Sequence, residues 1–173
     1  ARPAGQIPEQ GIDVSSALRE LYERERSHTE SLGGQLTASI EPNLFARINA
    51  HDLKRIVGNL IENARRYGRN PDDDRAHIEL SAVQRGNIVS IEVRDHGRGI
   101  ASNDIQRLLR PFSRGESART GVSGAGLGLA IVERLLGQVG GQLELISQPP
   151  GGLIARIEIP KYRPRGYQVD TNT

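Results

Sequence analysis

Apolar positions along the chain follow two periods. Spacings of three and four mark helices. Leu18, Leu21 and Tyr22 give one over residues 17–27. Leu53, Ile56, Val57, Leu60, Ile61 and Ala64 make the apolar stripe of a second over residues 51–67, with Gly68 placed to stop it. A third amphipathic run covers residues 127–139 and ends at Gly140 and Gly141. Alternation marks strands at residues 35–40, 44–48, 78–83, 88–93, 143–146 and 153–159, with a short strand starting over Ile12 to Val14. Arg85, Gly86 and Asn87 form the turn of one hairpin, and residues 149–152 the turn of another. The elements do not alternate as βαβ. The pattern predicts an α+β fold, a two-layer sandwich of a mixed, mostly antiparallel sheet packed on helices.

Residues 95–125 break this regularity. They are rich in Gly, Arg and Ser, with a short apolar helix expected only at residues 105–109. Residues 1–11 read as a linker, residues 70–74 as an acidic loop, and the segment from Lys161 as a polar, frayed tail. The remaining chain, residues 12–160, is long enough for one domain among 173 residues.

Composition narrows the function classes. Two Phe, four Tyr and no Trp leave the core to Leu, Ile, Val and Ala. The formal charge of +2 comes from 23 basic and 21 acidic residues, too balanced to imply direct nucleic-acid binding. The absence of cysteine excludes disulfides and thiolate metal sites. No apolar run approaches the roughly 18 residues of a membrane span, and no signal peptide is evident. A first residue other than Met fits a piece of a longer protein.

Four motifs carry the chemistry. On the 51–67 helix, Asn59 and Asn63 are four apart and share a face, with Arg66 and Tyr67 close behind. Asparagine is a poor helix former, and a carboxamide oxygen is a hard ligand suited to Mg²⁺; a solvated polar face is the plainer account of the pair by itself. Next, Asp95 at a strand end is followed by Gly97, Gly99 and Ile100, which lets a carboxylate and bare backbone approach a flat ligand; an ordinary Asp-x-Gly turn has the same residues. Third, Pro111, Phe112, Arg114 and Arg119 combine a lone aromatic with arginines able to face phosphate; solvated arginines account for them equally well. Fourth, Gly121, Gly124, Gly126 and Gly128 surround Leu127 at the start of the last helix, where exposed N–H groups and the helix dipole attract anions. No Gly-Lys-Ser/Thr follows, so this is no P-loop, and the spacing does not match a dinucleotide fingerprint.

In this order and at these separations the motifs resemble the N, G1, F and G2 boxes of the histidine-kinase ATPase domain, over residues 50–140. The lid sequence and the run from Gly124 to Val132 resemble osmosensor-type two-component kinases most closely. The resemblance implies the Bergerat fold and ATP with Mg²⁺ as cofactors. It implies that Asn63 coordinates Mg²⁺ with Asn59 beside it, that Arg66 contacts phosphate, and that Tyr67 packs near the nucleotide. It implies that Asp95 binds adenine, with Gly97, Gly99 and Ile100 shaping the pocket. It implies that residues 101–123 form an ATP lid carrying Arg114, and that Gly124, Gly126, Leu127 and Gly128 hinge it and meet the phosphates. Position 96 is His where relatives often carry Asn, and Arg66 stands where many carry Lys.

One position separates kinase from hydrolase. In the gyrase-like and MutL-like branches a Glu four residues before the metal-binding Asn activates water. Here that position is Asn59, which cannot take a proton, and Glu62 points about 100° around the helix from Asn63. That favours phosphoryl transfer, and the resemblance implies a histidine on a separate dimerisation domain as acceptor, for relay to a response-regulator receiver domain. His51, Asp52, Leu53 and Lys54 resemble the start of a phosphoacceptor motif, but Arg55 and Ile56 depart from it, and His51 is read as a residue near a helix cap. The resemblance also implies a homodimeric parent anchored in the bacterial inner membrane, with this domain on its cytoplasmic side.

Overall fold

A computed structural model describes residues 11–101, 103–105 and 123–163. Seven strands are described: β1 (Ile12–Asp13), β2 (Gln35–Ile40), β3 (Phe45–Ala46), β4 (His77–Arg85), β5 (Ile88–Asp95), β6 (Gln142–Ser147) and β7 (Leu153–Pro160). The helices are α1 (Val14–Ser31), α2 (Ala50–Tyr67) and α3 (Ser123–Gln138), and residues 103–105 are also helical.

The main sheet runs β2-β4-β5-β7-β6, and a small sheet pairs β1 with β3. Only the β2–β4 pair of the main sheet is parallel. Parallel neighbours need a crossover, and β3 with α2 supplies it. The β4–β5 hairpin turns through Gly86 and Asn87, with Gly86 at φ +60°. All three helices lie on one face of the main sheet. Leu36, Leu80, Ile91, Ile157 and Leu145 come from its five strands, and all are buried with Leu18, Leu53, Ile61 and Leu136 of the helices. This is the expected α+β two-layer sandwich with a mixed, mostly antiparallel sheet.

Several boundaries moved. The first helix starts at Val14 because Asp13 Oδ1 caps it by accepting from Ser16 N (3.0 Å), and it runs on to Ser31 because a polar outer face is no obstacle to helix. The strand expected at residues 44–48 shortens to Phe45–Ala46. Its neighbours bind elsewhere: Leu44 N donates to Ser15 Oγ (3.0 Å), and Asn49 already caps α2. The tail does not fray at once. Lys161 N donates to Asn87 O (2.8 Å), Tyr162 N to Phe45 O (2.9 Å), and Arg47 stacks on the Tyr162 ring. α3 begins at Ser123 rather than Leu127.

Between α1 and α2, Arg65 is nearly buried and bonds Glu25 and Glu62. Burial of Glu62 works to raise its carboxyl, but Arg65 and Arg66 outweigh it and hold the group below its ordinary 4.5. Arg65→Ala is expected to cost about 2–3 kcal/mol by stranding the mostly buried Glu25, read as a lower denaturant midpoint at pH 7. A carboxyl with a depressed folded pKa stabilises above its unfolded pKa and loses that contribution as pH falls through the folded value. The gap between parent and variant should therefore narrow below about pH 4.5.

Candidate functional site

α2 and β5 bring the first two motifs together. Along β5, Val89, Ile91 and Val93 point into the core, and Asp95 occupies the next inward position. A carboxylate therefore sits where the alternation calls for a hydrophobe, and it is only 7% exposed. Burial pushes its carboxyl above the ordinary 3.8, partly offset by two backbone donors and by His96. Those donors are Gly97 N (3.0 Å) and Leu153 N (3.2 Å), both on Oδ1.

The pocket beside Asp95 is mostly apolar. Leu60, Ala64, Val93, Leu129, Leu145 and Ala155 contribute to its walls, and Asn63, Tyr67, Asp95, Gly99 and Ile100 join them. An apolar slot with few convergent polar groups suits a flat heteroaromatic ligand. Bare backbone makes the approach possible. A methyl on Gly68 would overlap the Asp95 carboxyl, and one on Gly97 would lie 2.7 Å from Gly68 C. Gly99 has φ +77°, which other residues rarely adopt.

Of the residues singled out in the sequence, Asn63, Tyr67, Asp95, Gly99 and Ile100 line one pocket. Gly97 supports Asp95 from behind. Asn59 is half-buried one turn before Asn63 on α2, outside the lining. Arg66 is exposed and paired with Glu62 through Nε (2.9 Å), also outside the lining. Gly124, Gly126 and Gly128 do not precede the last helix as expected; they lie within its first turns, and Leu127 with them. The unpaired N–H groups of that terminus thus belong to residues from Ser123 onward. α3 still delivers the fourth motif to the first, since a methyl on Gly128 would lie 3.6 Å from both Asn63 Oδ1 and Nδ2. Arg114, Phe112 and most of the expected lid lie outside the described residues.

His96 turns away from the pocket and bonds Glu79 on β4 (2.8 Å). His51 is exposed in the first turn of α2, where its N–H donates to Asn49 Oδ1 (2.8 Å), as expected of a residue near a cap. Glu62, committed to Arg65 and Arg66, has no free carboxylate to activate water beside Asn63.

Sequence reasoning missed the β7 side of the site. Leu153 and Ala155 line the pocket, and the Leu153 N–H reaches Asp95 across the sheet register that pairs the two residues. The periodicity placed β7 but could not say which strand it would neighbour.

The donor set fits Mg²⁺. Asn63, with Asn59 behind it, offers carboxamide oxygen, and Mg²⁺ is commonly held by few protein groups plus phosphate and water. Among the described residues no group of three or more His, Cys, Asp or Glu could hold a metal by itself.

Known proteins share this fold and family. Residues 48–163 match the family model described as histidine kinase-, DNA gyrase B-, and HSP90-like ATPase. A probable sensor histidine kinase HK of Mycobacterium tuberculosis (strain CDC 1551 / Oshkosh) is 33% identical over 94% of this chain, which spans 40% of that relative's length. The histidine kinase domain of the E. coli osmosensor EnvZ, solved by NMR, is 31% identical with a TM-score of 0.67, covering 99% of this chain and 100% of that one. Full-length ShkA in complex with AMPPNP shares the fold at a TM-score of 0.72 and 24% identity, covering 91% of this chain and 32% of that one. The chain belongs to the histidine kinase-, DNA gyrase B- and HSP90-like ATPase family, in its sensor histidine kinase branch.

Proposed function

We propose that this domain binds ATP with Mg²⁺ and transfers the γ-phosphoryl group to a histidine on the dimerisation domain of the same parent protein. The phosphoryl group then passes to an aspartate of a response-regulator receiver domain. The observation that carries the reading is the convergence of Asp95, Asn63 and the first turns of α3 on one slot.

In this reading Asp95 Oδ2 accepts from the exocyclic amine of adenine, and the apolar walls exclude water from the ring. Asn63 Oδ1 would hold Mg²⁺, which supplies charge neutralisation across the phosphates. The N–H groups at the start of α3 face the phosphates with the positive end of the helix. Arg66 would reach phosphate only by exchanging its ion pair with Glu62. When an imidazole nitrogen of the acceptor attacks the γ-phosphorus, the bond to the β–γ bridging oxygen breaks and ADP leaves. Asn59 cannot take a proton and Glu62 is paired with Arg65 and Arg66, so neither serves as a base toward water, which favours transfer over hydrolysis. The dimeric, membrane-anchored parent belongs to the same proposal; among the described residues no helix is long and apolar enough to cross a membrane.

Calorimetric titration with a non-hydrolysable ATP analogue, with and without Mg²⁺, tests the site. Saturable binding that tightens with the metal is expected. Incubation with labelled ATP and the parent's acceptor domain then tests transfer. Binding without label on the acceptor would leave a nucleotide-sensing module in place of a kinase.

A further inference from the structure

The turn between β6 and β7 lies outside the four motifs, yet it packs directly on the second of them. Leu153, the first residue after this turn, donates its N–H to the Asp95 oxygen that Gly97 also occupies. Both donors converge on Oδ1, so Oδ2 is the oxygen left for a ligand. The two preceding residues touch the same loop through backbone alone. A side chain at Gly151 would bring its Cβ to 2.8 Å from Gly97 O, and one at Gly152 to 2.6 Å from Asp95 O. Gly152 also has φ +107°, and its carbonyl accepts from Gln148 N (3.0 Å), which closes the turn. Gly99 completes the interlock, since a methyl there would lie 3.1 Å from Gly152 O.

A turn needed only to reverse the chain would not require this contact. Gly33 shows the difference: it too has a positive φ, +81°, but a methyl on it would meet nothing within 4 Å. At Gly151 and Gly152 the missing side chains instead let two backbones meet behind the carboxylate.

We propose that the Gly151–Gly152 turn is a positioning element of the nucleotide site, holding the Leu153 N–H on Asp95 Oδ1 so that Oδ2 faces the exocyclic amine of the base, and thereby a determinant of base selectivity. This role presupposes that Asp95 is the adenine ligand. A side chain at 152 displaces the Asp95 backbone, rotates the carboxylate away from the amine, and loosens the bond from Leu153. The walls that α2 and α3 supply and the phosphate contacts lie away from the turn, so binding weakens mainly for bases that carry the amine.

The test compares two non-hydrolysable triphosphates, one with adenine and one with purine lacking the 6-amino group. The parent chain is expected to prefer adenine by about 10- to 100-fold, the range of a hydrogen bond to a charged group. Gly152→Ala should lower adenine affinity about tenfold and bring the two ligands within about threefold of each other. General destabilisation would weaken both equally and leave the ratio intact. Gly33→Ala, also at a positive φ but with nothing within 4 Å of the added methyl, should keep the parental ratio. If Gly152→Ala does not fold by circular dichroism, Gly151→Ala carries the same test with a smaller displacement. A parental ratio in the folded variant overturns the positioning role. No adenine preference in the parent chain overturns it too, by removing the Asp95 reading beneath it.

Discussion

Asp95→Asn is expected to weaken nucleotide binding by about 100-fold or more while leaving the ligand-free fold at least as stable as its parent. The two effects have one origin. Asp95 is buried, and burial holds its carboxyl above the ordinary 3.8, so its charge at neutral pH costs the fold stability. An asparagine keeps an oxygen to accept from Gly97 N and Leu153 N, so the backbone donors stay satisfied. Its amide nitrogen then occupies the place of Oδ2 and presents a donor to the donor of the adenine amine. A charge-assisted bond is replaced by a repulsive contact, and a site built for one polar partner discriminates strongly when that partner fails.

The sign with pH follows. A group whose folded pKa is raised contributes stability that is complete below its unfolded pKa and is lost as pH rises through the folded value. The variant lacks this loss. Its stability advantage should open as pH climbs above about 3.8 and close below it. Chemical denaturation at several pH values, beside calorimetry with the ATP analogue, checks both halves. Retained affinity would remove Asp95 from the site, and a large loss of stability at pH 7 would mean that the carboxylate is a structural anchor.

Asn63→Ala should abolish the effect of Mg²⁺ on nucleotide binding and reduce phosphotransfer by about 10²–10³-fold, the scale of removing one preorganised polar group from a reacting centre. The fold should be unharmed, because Ala is the better helix former and Asn63 is only half-buried on α2. The adenine side of the pocket remains, so binding of the nucleotide without metal should change by less than about threefold. Metal-dependent titration and a labelled transfer assay separate the two. Equal Mg²⁺ dependence in parent and variant would move the metal ligand elsewhere; Asn59, one turn earlier, would be next to test. Asn59→Ala is expected to have the smaller effect, since it stands outside the pocket lining.

Local pattern was a good guide wherever burial is set by one face of one element. The stripe of α2 from Leu53 to Ala64 and the alternation of β4 and β5 needed only the helical and strand periods, and they are buried as those periods require. The candidate site was legible for a related reason. Asn63 interrupts a good helix former's face, and Asp95 interrupts the inward alternation of β5; each is a polar group placed where propensity or packing opposes it. The bounds of α1 and α3 were less legible. Asp13 extends the first through a cap, and the last starts four residues early because glycine weakens a helix without forbidding it.

What residue order determined by itself was therefore the set of elements, the class of fold and the two chemical anomalies on α2 and β5. Their meeting was decided by tertiary structure. β7 pairs with β5 at a sequence separation of 58 between Asp95 and Leu153, and that register sets the Leu153 N–H on the Asp95 carboxylate. α3 packs on α2 so that Gly128 faces Asn63. Neither contact leaves a mark on local periodicity, because backbone donors and missing side chains have no sequence period. They acquire chemical meaning only when a distant strand or helix is packed against them.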